Sequence, residues 1–405
     1  MITVLHPILL PIIQQMPIGV LPIVLEEEEF PILVVKAPKE YILAGKINAS
    51  FKIYLAPVFI ENNHTIGAIS AFFDDEDEPL IITTPLFSDK DSAMFIEVLR
   101  SKKITVYFFD ELSRERLAYH ASVSVPDATK ARIDNLSFLR SSFSKVRLML
   151  DASVHWFEMR TPEDDSEAIH ISLENSIFGK DIFIQDLRPE NHSFHGSRGF
   201  SHTILEREES GNYQEEDIVQ CLISVFPGEQ IFINPKRTYD MKEMCDILVV
   251  TDARVLIVQA KDSPNIDRIS RQKLSRKRSN VLNALRKAVK QIKGAVGYYH
   301  RQNDVLEFYI EGKLYSIKTT GLELKALIVV KELFNDQYEE YSSLLLKLVE
   351  DKSVQCIALD YPELYQYCVQ FKGEESFFKA YTRVMKHAMS HGEYPRLRFD
   401  PANQD

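Results

Sequence analysis

Apolar and polar positions along the chain change their rhythm near residue 190. Upstream, short runs alternate with period two, the pattern of half-buried strands. They are "KINASFKIYLA" from Lys46, "TIGAISAFF", "PLIITTPLF", "ITVYFFDE" and "LAYHASVSV". Between them, "SDKDSAMFIEVLRSKK" sets Ser88 and Asp91 at capping-box spacing and puts Met94, Phe95, Val98 and Leu99 on one helical face. A further helix is expected within 127–150. These elements predict an α+β domain over 1–190, with no internal repeat. "RPENHSFHGSRGFSH" is rich in glycine and polar residues and predicts a linker over 191–204. Its His192, His195 and His202 have no carboxylate or cysteine at ligand spacing, so they read as solvated loop histidines.

Over 205–400 helical and strand periods interleave. "QEEDIVQCLISVF" places Ile218, Val219, Leu222 and Phe226 on one face and stops at Pro227-Gly228. "EQIFINP" predicts a strand, and "CDILVVTDARVLIVQAKD" a hairpin. A long helix runs to about His300, with Val281, Leu282, Leu285, Val289, Ile292, Val296 and Tyr299 at helical spacing. "LEFYIEGKLYSIK" predicts a second hairpin turning at Glu311-Gly312. "KALIVVKEL" and "SVQCIALD", separated by a helix over 337–350, are the alternation of a partly parallel sheet. Helices near 361–371 and 374–390 follow. The predicted fold class is α/β, an α+β domain followed by an α/β domain with a central mixed sheet.

Composition adds three constraints. The 405 residues, 45% hydrophobic and 26% charged, suit a globular chain of two or three domains. The four cysteines are scattered with no CxxC pair, which disfavours zinc fingers and disulfide frameworks and points to a reducing cytoplasm. The apolar opening, "MITVLHPILLPIIQQMPIGVLPIVL", has no basic region. Pro7, Pro11, Pro17 and Pro22 interrupt it, so a buried extended segment is expected, not a signal or a membrane anchor. The expectation is a soluble protein with no membrane partner.

The first hairpin carries the candidate chemistry. With its turn at Thr251–Arg254, Val250 faces Val255, and counting back sets Asp246 opposite Gln259, β-carbons about 5 Å apart. Lys261 lies two residues on, on the same face. A one-residue slip would separate the three. An acid, an amide oxygen and an ammonium on one patch suit a hard divalent cation with phosphate oxygens. A lysine there orients an attacking water and offsets charge on a phosphoryl group. Glu215 or Glu216, on the preceding helix, offers a further carboxylate.

At these residues the chain resembles a known family. Over about 205–335 it is similar to the PD-(D/E)XK nucleases, in particular the Mrr-like branch and the nuclease-related (NERD) domain. "EDIVQCL" resembles the family's glutamate helix, "CDILVV" its aspartate strand and "VQAK" its QxK variant. Gln291 in "KAVKQIKGAVGYY" resembles a glutamine of Mrr-like members. The resemblance implies a restriction-endonuclease-like fold and Mg²⁺ (or Mn²⁺) dependence. It implies Glu216, Asp246, Gln259 and Lys261 as catalytic residues, with Asp246, Gln259 and Glu216 holding the metal. Glu216 is preferred because Val219 and Leu222 follow it at the family's spacing. Glu215 and Gln291 are accessory candidates.

Charge supports a nucleic-acid substrate only locally. The net charge is −11, with acid concentrated in "EEEE", "DDEDE" and "EDDSE". From Asp267 to Arg301, however, Asp267 is the only acid. This stretch carries Arg268, Arg271, Lys273, Arg276, Lys277, Arg278, Arg286, Lys287 and Lys290, followed by Lys293 and Arg301. Such a surface suits phosphate neutralisation, and few aromatics interleave it. The expected activity is therefore metal-dependent cleavage of nucleic acid, DNA before RNA, in a restriction or anti-phage setting. The N-terminal domain would serve for recognition, for regulation, or for pairing with a partner protein or a second copy. The alternatives are a catalytically silent nucleic-acid-binding module and a protein-interaction scaffold. Residue by residue, the bland readings are a structural Asp246–Lys261 ion pair, first-turn acids at 215 and 216, and a solvated basic helix face. Asp240, Asp252 and Asp262 read as turn or strand-end acids.

Overall fold

A computed structural model describes residues 1–61, 63–75, 78–135, 138–179, 182–209 and 211–397. Glu76 and Asp77 of the acidic run at 74–78 lie outside the described residues. The chain divides into two compact units, and the division is not a single cut. The first comprises Met1–Ile182, Ile204–Glu206 and Asn265–Gln272; the second comprises Phe183–Thr203, Arg207–Pro264 and Lys273–Asp405. Residues 191–204, expected as a linker, pack almost entirely within the second unit.

The first unit is built on an eight-stranded sheet. Ile32–Lys36 pairs parallel with Lys103–Phe109, and the other pairings are antiparallel. Its core gathers alternate strand residues such as Leu33, Val35, Phe51, Val106 and Phe108. The strand expected from Lys46 starts at Ser50, because the helix Lys39–Asn48 precedes it and ends at Ala49 in the left-handed region (φ 50°). The helix Lys90–Arg100 is capped by Asp89, not Ser88: the Asp89 carboxylate accepts from Ser92 N at 2.7 Å. Two helices, Asp127–Asp134 and Phe143–Glu158, stand where one was expected.

The apolar opening is not extended. It forms the helices Ile2–Leu5 and Leu9–Gln15 and the strand Gly19–Ile23. Pro11 falls in the first turn of its helix, where its missing N–H costs nothing. Ile2, Leu9 and Ile13 are buried, whereas Val4, Leu5 and Ile8 are exposed.

In the second unit a five-stranded sheet runs Ile231–Ile233, Ile247–Val250, Arg254–Lys261, Glu323–Val330, Gln355–Asp360. The first three strands pair antiparallel and the last three parallel. The helix Leu274–Arg301 and the hairpin Val305–Lys318 bridge the first parallel connection, and the helix Tyr338–Lys352 bridges the second. Glu311 and Gly312 both have positive φ (47° and 84°), the turn that matches strand twist in a two-residue hairpin. With helices and mixed sheets in both units, the fold class is α/β. Among the described residues, no helix is long and apolar enough to cross a membrane.

Candidate active site

The hairpin adopts the register that brings the polar residues together. Val250 pairs with Val255, Val249 with Leu256, Leu248 with Ile257 and Ile247 with Val258, so Asp246 and Gln259 stand opposite one another at its open end. The Gln259 amide Nε2 donates to Asp246 Oδ2. Ala260 N donates to the same oxygen at 2.5 Å, and Lys261 Nζ lies 3.6 Å from it. Gln259 is fully buried and Asp246 nearly so, because the strand Arg254–Lys261 has neighbours on both sides. Gln259 Oε1 has no hydrogen-bond partner. An acceptor oxygen in that state is costly in a strand interior unless something binds it.

Two residues that sequence reasoning missed complete the arrangement. Asn234 follows the edge strand with φ 50°; its N–H donates to Asp246 O at 2.8 Å and its Nδ2 to Glu215 Oε2 at 2.9 Å. It therefore ties the aspartate backbone to the glutamate helix. Glu243 sits on the segment between Pro235 and Met244, bridged to Lys236, and its carboxyl hydrogen-bonds Asp246. An Asn before a Pro at a strand end is a visible signal for the first. Glu243 has none beyond standing three residues before Asp246.

The helix Gly211–Leu222 presents Glu215. Ile218, Val219 and Leu222 bury its apolar face. Arg207 fixes its start: it pairs with Asp217 at 2.9 Å, donates to Thr203 and lies over the Tyr213 ring. Burial, reinforced by the charges of Asp246 and Glu216, pushes the Glu215 carboxyl up to about 7, against the opposing pull of Asn234 and Lys261. Burial also pushes the Glu243 carboxyl up to about 8, with its hydrogen bond to Asp246 and the charges of Asp246 and Glu215 adding to it. Glu243 as a whole residue is exposed, so water screens part of that repulsion.

The expected assignment of Glu216 is corrected. Successive helix residues point about 100° apart, and it is Glu215 that reaches Asn234, Asp246 and Lys261. Glu216 instead faces Asp217, Arg198 and Arg207, and burial and Asp217 raise its carboxyl. Gln291 lies exposed on the outer side of its helix, whose buried face is Leu285, Ala288, Val289, Ile292, Ala295 and Val296. Asp240 is a turn acid as expected, paired with Arg237 at 2.8 Å. The linker histidines are not solvated pins of a flexible loop. His192 is buried against Asp186 O, His195 stacks on Phe232 and His202 on Phe183.

The basic stretch is split. Arg268 and Arg271 belong to the first unit, and Lys273 onward to the second. Arg271 pairs with Asp267, Arg278 with Asp336 at 2.9 Å and Lys293 with Asp351 at 2.6 Å. Arg276, Arg286, Lys287 and Lys290 are exposed. The first turn of the helix Leu274–Arg301 carries no acid, only cations, against the preference set by the helix dipole. Cations kept where the dipole disfavours them suit an anion-binding role.

A polar cleft of about 330 Å³ opens beside the site. Glu215, Glu216, Glu243, Asn234, Arg198, Phe200 and Lys236 are among the residues that line it. Comparison of the chain with protein-family models, curated proteins and solved structures found no match.

Proposed function

We propose that the second unit is a metal-dependent nuclease acting on phosphodiester bonds, DNA before RNA. One observation carries this reading: Asp246, Gln259 and Lys261 converge across the hairpin, and the Glu215 and Glu243 carboxyls feel the charges of Asp246 and Lys261. The order of glutamate helix, aspartate strand and QxK strand is the one implied by the resemblance to PD-(D/E)XK nucleases.

Asp246, Glu215 and Gln259 offer oxygen donors of the kind Mg²⁺ or Mn²⁺ takes, although among the described residues no three His, Cys, Asp or Glu side chains are grouped so as to hold a metal ion. The fit rests on oxygen chemistry. Asp246 and Glu215 would hold the ion, with Gln259 Oε1, the buried oxygen without a partner, as a neutral third donor. Turning the Gln259 amide over exchanges its nitrogen for its oxygen at Asp246.

When bound, the ion supplies Lewis acidity and neutralises charge on the phosphoryl group. The chain's own groups do the rest. Lys261 Nζ, which donates to Ala260 O at 2.6 Å, would orient a water and stabilise developing negative charge. Glu243, the carboxyl not assigned to the ion, would take the proton that water loses. Asn234 holds the Glu215 carboxyl, and Arg207 holds the helix that carries it through Asp217.

A second reading, a silent nucleic-acid-binding module, has one observation behind it: the Gln259 amide already satisfies Asp246 without an ion. Incubating the full chain with plasmid, linear DNA and RNA in Mg²⁺, Mn²⁺ or EDTA decides between them. Cleavage lost in EDTA and in Asp246→Asn is expected. Calorimetry showing no Mg²⁺ or Mn²⁺ binding at neutral pH, with no cleavage, would favour the silent module.

A further inference from the structure

We propose that the loop Gly196–Phe200 is a clamp for a single unpaired nucleotide strand. Arg198 would hold a phosphate, and the Phe200 ring would stack a base beside the carboxylates of the site. This rests on the nuclease reading for the identity of the ligand, but on separate residues for its geometry.

The loop is built to stay in place. His195 joins the edge strand Ile231–Ile233 through His195 N to Ile231 O (2.9 Å) and Ile233 N to His195 O (3.0 Å). Its ring stacks 4.4 Å from Phe232 and meets Tyr315 Oη through Nδ1 at 3.2 Å. Gly196 follows with φ 88°, and a side chain there would come within 2.5 Å of Ile233 Cγ2, so the backbone lies tight on the sheet edge. Ser197 Oγ then accepts from Gly199 N at 3.1 Å and folds the tip over. This base presents Arg198 and Phe200 to the cleft, with Arg198 near enough to Glu216 for its charge to pull that carboxyl down. Arg198 is exposed, and Phe200 keeps 38% of its surface open although its ring lines a polar cleft.

The chemistry of that pair selects the ligand. A cation beside an exposed aromatic matches a phosphate followed by a base, since every base has a face that stacks and every nucleotide a phosphate that pairs. Lys236, on the same cleft, adds a second cation for the neighbouring phosphate. At about 330 Å³ the cleft is at the small end of the ~300–1,000 Å³ range of ligand sites. That room suits a single nucleotide. The carboxylates of Glu215, Glu216 and Glu243 line the same cleft and repel phosphate, which leaves the cations Arg198 and Lys236 as its partners there.

The test measures binding of the full chain in EDTA, by fluorescence anisotropy, to a labelled ten-nucleotide single strand and to the same sequence as duplex. Phe200→Ala is expected to weaken single-strand binding roughly fivefold or more, the lower end of what a stacked base contributes, and to spare duplex binding. Phe200→Trp should restore it. Arg198→Ala should reduce the slope of log affinity against log salt by about 0.7, the value for one phosphate on a single strand. Both residues are exposed, so melting temperatures should be unchanged. Single-strand affinity indifferent to both alanine substitutions would overturn the clamp. Cleavage in Mg²⁺ is scored in parallel. Binding in the expected pattern without any cleavage leaves the clamp standing and removes the nuclease reading. Cleavage with binding that ignores both substitutions removes the clamp and leaves the nuclease.

Discussion

The carboxyls of Asp246, Glu215 and Glu243 and the Lys261 ammonium act on one another through their charges, which makes stability a function of pH. Glu215 and Glu243 have folded-state values of about 7 and about 8, above the ordinary 4.5. Over that interval the folded chain holds protons that the unfolded chain has released. Their stabilising contribution is complete below about pH 4.5 and is lost as pH rises through 7 and 8. For Glu215 the rise from 4.5 to about 7, at ~1.4 kcal/mol per unit, sets an upper bound of about 3 kcal/mol. Glu243 is exposed and adds in the same direction by less than its shift suggests. In a unit of about 200 residues, ~3 kcal/mol is on the order of 5–10 °C in melting temperature. Thermal melts in EDTA at steps from about pH 5 to 9 read this out. Glu111 and Glu363, buried and also raised to about 8, titrate in the same window. The informative quantity is therefore the difference between the wild type and Glu215→Gln. That difference should shift in favour of the variant as pH rises. Mg²⁺ should erase most of it at high pH, since an ion at 100 times its Kd contributes about 2.7 kcal/mol. A difference that is flat from pH 5 to 9, or a wild-type chain indifferent to Mg²⁺ at pH 8.5, would refute the argument that these carboxyls crowd one cation site.

Three further outcomes are expected. Asp246→Ala leaves Gln259 Nε2 and Ala260 N without an acceptor, at about 1–3 kcal/mol each before relief of repulsion offsets part of it. Asp246→Asn keeps an acceptor, so urea melts should rank it above the alanine variant while both lose cleavage; full cleavage by the asparagine variant would contradict the role of the carboxylate. Gln259→Glu sets a buried carboxylate against Asp246 Oδ2 and should lower the melting temperature in EDTA, with recovery in Mg²⁺; a loss that Mg²⁺ does not rescue counts against an ion on this face. Neutralising Arg276, Arg286, Lys287 and Lys290 together should weaken duplex binding alike for all sequences and flatten its salt slope by up to ~0.9 for each phosphate left unneutralised, with an unchanged melting temperature because all four are exposed. Arg278 is left out because it pairs with Asp336 and lies over Phe334, where its removal would also affect folding.

The sequence alone determined what depends on local period and turn geometry. The pairing of Asp246 with Gln259 was legible because a tight turn at Thr251–Arg254 sets a hairpin's register, and the register sets every cross-strand neighbour. The long helix, the second hairpin and the two parallel strands were legible for the same reason. Tertiary structure decided the rest. Glu215 and Glu216 are both plausible on a helical wheel, and only Asn234, delivered by a backbone at φ 50° on a different element, selects Glu215. Glu243 reaches Asp246 through a turn that no periodicity announces. Polar "HSFHGSRGF" looked like a linker because its anchors, Phe232 and Tyr315, are distant in sequence, and ring stacking against them leaves no mark on the segment itself. The helices of the opening segment were missed because prolines suppress the prediction of a helix wherever they fall. Pro11 sits in a first turn, where the N–H it lacks has no partner to lose.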